Sequence, residues 1–122
     1  MANDPKAALE ALRAIDGHIG AALVDSDSGM TLGIDGGGST LNLEIAAATN
    51  TEVVRAKRKA MKALNLRDEI EDILITLGQQ YHLIRPMRSR PGVFFYLALD
   101  RSRANLALAR LTLASVESTI SF

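Results

Sequence analysis

Groups able to do chemistry are sparse in this chain, and the spacing of each cluster can be set against a chemistry. Asp25-Ser26-Asp27-Ser28-Gly29 starts as a calcium loop starts, with oxygens at alternate positions. The next ligand position holds Gly29, the position that needs glycine holds Met30, and no glutamate closes the loop, so the segment reads as a hairpin turn. Gly36-Gly37-Gly38-Ser39-Thr40 precedes a helix and offers backbone N–H groups to an anion. It lacks the P-loop lysine and the Rossmann spacing and reads as a flexible connection starting at Asp35. His18 and His82 are the only histidines, neither has a second metal ligand at a characteristic spacing, and there is no cysteine. Asp68, Glu69, Glu71 and Asp72 gather four carboxylates at the expected start of an edge strand. No Gly-x-Ser-x-Gly elbow is present. These residues predict no catalytic, cofactor or metal site, and a non-enzymatic protein.

Two groups of cations bear on partners. Arg85, Arg88, Arg90, Arg101 and Arg103 fall near strand ends and loops and are the candidate contacts for an acidic partner. The run from Arg55 to Lys62 spreads around a helix with no aromatic residues between its members, unlike a nucleic-acid surface. Net charge is zero, from 14 basic and 14 acidic residues, which argues against general nucleic-acid binding. The charge is polarised: residues 1–54 carry a net −6 and residues 55–122 a net +6. Met1–Glu10 has no signal-peptide pattern, and no apolar run is long enough to span a bilayer. A cytoplasmic protein without membrane insertion is expected.

The elements that position these residues follow from periodicity. Length predicts one domain over residues 1–122. Asp4 and Pro5 open a helix to Ile15, and strands follow at His18–Val24 and Met30–Ile34. A long helix runs from Leu41 to about Leu64, then strands at Asp68–Leu77, Tyr81–Met87 and Val93–Leu99. Ser102 is the expected cap of a last helix reaching about Ser118. That helix has a core stripe of Leu106, Ala109, Leu113, Val116 and Ile120, while Leu108 and Leu111 are expected to meet the first helix. Val93–Leu99 is apolar on both faces, as a central strand covered on both sides would be. The expected class is α+β, a five-stranded antiparallel sheet with the long helix on one face and the two terminal helices on the other.

The long helix carries two apolar stripes where a surface helix needs one. Ile45, Thr49, Val53, Ala56, Ala60 and Leu64 are expected to pack on the sheet. Leu43, Ala47, Asn50, Val54, Lys57 and Met61 repeat at four and three, a seam suited to another helix. With Glu44 and Glu52 in the first half and five cations in the second, an antiparallel homodimer through this seam is expected. Glutamate at Val54 and Met61 is then expected to give a soluble monomer.

In this order, these residues resemble the Roadblock/dynein-light-chain family. Ile15-Asp16-Gly17-His18-Ile19-Gly20-Ala21-Ala22-Leu23-Val24-Asp25 resembles its opening strand and turn, and Gly29-Met30-Thr31-Leu32-Gly33 its second strand. Ile73-Leu74-Ile75 and Tyr81-His82-Leu83-Ile84-Arg85-Pro86-Met87 resemble its middle hairpin. Leu97-Ala98-Leu99-Asp100-Arg101 and Ala104-Asn105-Leu106-Ala107-Leu108-Ala109-Arg110-Leu111 resemble its closing strand and helix. The resemblance implies a homodimer joined by the second helix and third strand, and a regulatory or scaffold role, often beside a Ras-like small GTPase whose hydrolysis some members stimulate. The alternatives are a small-ligand sensor and a scaffold subunit of a larger complex without a GTPase.

Overall fold

The computed structural model describes residues 4–122, so the first three residues of the expected domain lie outside it. Asp4 caps α1 (Pro5–Ala11): its carboxylate accepts the Ala7 N–H at 2.8 Å, and Pro5 sits in the first turn, where no N–H is needed. One 3₁₀ turn, Leu12–Ala14, finishes this helix. The hairpin β1 (His18–Asp25) and β2 (Met30–Gly36) leads to α2 (Leu43–Ala63). Then come β3 (Ile73–Thr76), β4 (Gln80–Pro86), β5 (Val93–Asp100) and α3 (Leu106–Thr119).

The five strands form one sheet in the order β2-β1-β5-β4-β3, with every neighbouring pair antiparallel. β5 is central and buried from Val93 to Leu99. Its alternation divides two cores. Val93, Phe95, Leu97 and Leu99 join residues of α1 and α3, while Phe94, Tyr96 and Ala98 join residues of α2. The expected two-sided cover is therefore present.

Three local expectations are corrected. β3 is four residues long, so Asp68, Glu69 and Glu71 lie in the α2–β3 connection instead of a strand. Asp72 accepts Nε and Nη2 of Arg110 at 2.9 and 2.7 Å, tying α3 to the sheet edge. The α3 cap is Asn105, whose Oδ1 accepts the Leu108 N–H at 3.1 Å; Ser102 instead donates its hydroxyl to Asp100 Oδ1 at 2.8 Å within the preceding turn.

The glycine run is the third correction, because it is a fixed turn. Asp35 lies buried in β2 and accepts Arg13 Nε at 2.7 Å. Gly36, Gly37 and Gly38 all have positive φ. Gly37 donates to Ile19 O at 2.9 Å, and its own carbonyl accepts from Thr40 and Leu41 at 3.1 Å each. A Cβ on Gly37 would stand 2.5 Å from Leu41 O at a φ of +77°. Gly37→Ala should therefore cost about 2 kcal/mol from left-handed strain and overlap. The check is a lower urea midpoint at unchanged slope.

Candidate dimer and partner surfaces

The sheet takes the α2 stripe expected to face a second copy. Asn42 caps the helix, its Oδ1 accepting the Ile45 N–H at 3.0 Å. The glycine turn before it sets the helix phase. Leu43 fits against Gly20 and Gly37, where an added Cβ would come within 3.3 Å of its Cδ2 and 3.0 Å of its Cγ. Once Leu43 is placed, Ala46, Ala47, Thr51 and Val54 follow it into the interior.

Leu43, Ala47 and Val54 are thus buried within their own chain and present nothing to a second one. Asn50 donates its amide to Ala46 O at 2.8 Å, Lys57 is exposed, and Met61 is half-buried. The outward stripe is the other one. Ile45 is 62% exposed and Leu64 65%; Thr49, Ala56 and Ala60 are exposed, and Val53 is half-buried. A four-three repeat is how any helix presents one packed face, so it does not say whether the face meets a sheet or another helix.

α2 lies across β1 and β2. Toward the other edge, Ile73 and Ile75 of β3 are half-buried. Beside them a polar chain runs through the layer. Tyr96 Oη lies 3.1 Å from His82 Nδ1, and His82 Nε2 lies 2.8 Å from Gln80 Oε1. A neutral imidazole with its proton on Nε2 satisfies both contacts, accepting from the tyrosine and donating to the glutamine. Burial pushes the Tyr96 hydroxyl up to about 12 and holds His82 below its ordinary 6.5. Burial also lowers His18, with Asp35 opposing the shift. The unfolded chain therefore takes up these protons first. The fold should keep this stability above pH 6.5 and lose it progressively as pH falls through that value toward the folded-state pKa values. Urea midpoints between pH 8 and about 5.5 should show the decline, and His82→Gln should flatten part of it.

The five candidate arginines do not form one surface. Arg85 is buried and donates Nε to Glu117 Oε1 of α3 at 2.9 Å. Its strand parity was the available signal, since Arg85 shares a strand face with Leu83 and Met87, both in the core under α1 and α3. Arg101 donates to Leu77 O at 2.7 Å and lies over the Tyr81 ring. Arg90 donates to Phe122 O at 3.0 Å and lies over that ring. Arg88 and Arg103 are exposed. Arg88 and Arg90 stand in the β4–β5 loop, and Arg101 and Arg103 follow β5 at the opposite end of those strands.

Other expectations resolve simply. Leu108 and Leu111 are 55% and 69% exposed and do not bury against α1. Asp25 Oδ1 accepts the Asp27 N–H and Ser28 Oγ accepts the Met30 N–H, so the calcium-like segment is a self-bonded turn. Among the described residues no group of three or more His, Cys, Asp or Glu could hold a metal ion, and no helix is long and apolar enough to cross a membrane.

No protein-family model matches the chain, and no curated protein does. Solved structures do. A Roadblock/LC7 domain from Streptomyces avermitilis superposes with a TM-score of 0.80 at 15% identity, over 95% of this chain and 93% of that one. This is the Roadblock/LC7 fold. MglB from Myxococcus xanthus follows it at a TM-score of 0.75 and 16% identity, over 93% and 85% of the two chains. The gliding protein MglB from Thermus thermophilus does so at 0.69 and 16%, over 93% and 88%. On the Roadblock/LC7 framework of this chain, the surfaces left open include the outer α2 stripe, the β3 edge and a cleft at the end of α2.

Proposed function

We propose that this protein is a non-enzymatic regulatory module that works as a homodimer and docks a Ras-like small GTPase. The observation carrying the reading is the exposed apolar stripe Ile45, Thr49, Ala56 and Ala60 on α2, on a fold shared with MglB. Such a stripe calls for a partner helix, and a second copy supplies an identical one. Antiparallel pairing brings Glu44 of one copy toward Lys59 of the other, which matches the polarised charge of α2. The short β3 edge, with half-buried Ile73 and Ile75, is suited to pair across the same axis.

The GTPase partner comes from the family resemblance. The dispersal of the five arginines favours an effect through the GTPase's own switch loops over an inserted arginine. Tagged protein incubated with native lysate, in GDP and in a non-hydrolysable GTP analogue, tests the reading by mass spectrometry. A GTPase retained preferentially in one nucleotide state is the expected result. Absence of any GTPase in both overturns it in favour of a scaffold or a sensor.

A further inference from the structure

The structure assigns a small-molecule site to the cleft between the end of α2, the α2–β3 connection and the β4–β5 loop, and we infer that its ligand class is a free apolar α-amino acid. The cleft has a volume of about 330 Å³, within the range of small-molecule pockets and ample for one such molecule. The inference is independent of the GTPase reading.

The walls are pre-formed. Asn65 adopts a left-handed φ of 57° just past α2. The Leu66 N–H then reaches back to Met61 O at 2.9 Å, and the Asn65 N–H to Lys62 O at 3.1 Å. This helix-ending motif folds Leu66 back toward Met61. Opposite, Arg58 Nη2 donates to Pro91 O at 2.7 Å and ties α2 to the β4–β5 loop. Ser26 donates both its N–H and its hydroxyl to Gly92 O at 2.8 Å, holding that loop to the β1–β2 turn.

The lining dictates the ligand's chemistry. Met61, Leu66, Ile70 and Met87 give it apolar surface. Arg58, Lys62 and Arg88 line it with positive charge, Asp68 and Glu69 with negative. Among the described residues, Lys62 and Arg88 have no hydrogen-bond or ion-pair partner, and Asp68 accepts only the neighbouring Glu69 N–H. A simple anion would leave the two carboxylates opposing it, and a simple cation would leave the three basic groups opposing it. A zwitterion with an apolar body answers both sets: its carboxylate suits Lys62 and Arg88, its ammonium Asp68 and Glu69.

The test is titration of the ¹⁵N-labelled full chain with L-phenylalanine, 3-phenylpropanoate and phenethylamine, followed by amide shifts. These probes share a ring and differ in which charge they carry. Saturable shifts around residues 61–70 and 86–91 are expected, with L-phenylalanine binding about tenfold tighter than either control. Lys62→Ala with Arg88→Ala should bring phenylalanine down to the phenethylamine level. Asp68→Asn with Glu69→Gln should bring it down to the phenylpropanoate level. Leu66→Trp should fill the cleft and block all three probes with its charges intact. Equal midpoints for the three probes, shifts centred elsewhere, or no saturation would overturn the assignment.

Discussion

Replacing Arg85 with methionine should destabilise the fold by about 3–5 kcal/mol, because Glu117 would be left charged in the core without its partner. The pair joins β4 to α3 at 2.9 Å, and both side chains are nearly buried, at 9% and 7% exposure. Replacing Glu117 with leucine in the same chain should restore most of the loss, since two apolar side chains of similar volume satisfy the site without desolvating any charge. Urea denaturation of the wild type, both single variants and the double variant closes a double-mutant cycle. Additive losses in the double variant would mean that the two charges act independently. The same result bears on partner binding, because it moves Arg85 from recognition to the fold's interior.

Glutamate at Val54 and glutamate at Ala56 should have opposite consequences, although the residues are two apart on one helix. Val54 is fully buried on the sheet side of α2. A carboxylate there would be desolvated within the α2-side core and should cost at least about 4 kcal/mol, leaving the chain unfolded or aggregated. Ala56 is exposed on the outer stripe. Ala56→Glu should leave the far-ultraviolet circular dichroism unchanged and convert the proposed dimer to a folded monomer by light scattering. A folded monomer from Val54→Glu, or a persistent dimer from Ala56→Glu, would return the interface to the seam formed by Leu43, Ala47 and Val54. Two glutamates at Val54 and Met61 thus probe folding and not association.

The contrast between those positions shows what the sequence made legible. Val93–Leu99 announced a central strand because both its faces are apolar, and Asp4-Pro5 announced a helix start because cap chemistry is local. Both features reappear in the structure. The phase of α2 was not legible. Either stripe is apolar enough for the sheet, and the choice falls to Leu43 between two glycines, one of them distant in sequence at Gly20. Gly36-Gly37-Gly38 invited the same error, since glycine marks a flexible connection and a forced left-handed turn with identical letters; only the bonds to Ile19 and Leu41 separate the two. Asn65 carried a cue for the cleft, as asparagine tolerates left-handed backbone, but the cleft's opposite wall is the β4–β5 loop, which periodicity does not bring near.

The strand order has a consequence for how the protein is made. β1 and β5 lie side by side at the middle of the sheet, yet β5 is among the last elements of the chain. During synthesis the opening hairpin and α2 leave the ribosome with the apolar flank of β1 unpaired, and nothing in the nascent chain can cover it until Val93–Asp100 is released. Native pairing therefore waits for the release of β5, and a pairing this distant in sequence closes slowly. The interval favours holdase binding over stepwise domain growth, and truncations that remove β5 should accumulate on chaperones or as aggregates even when every earlier element is present.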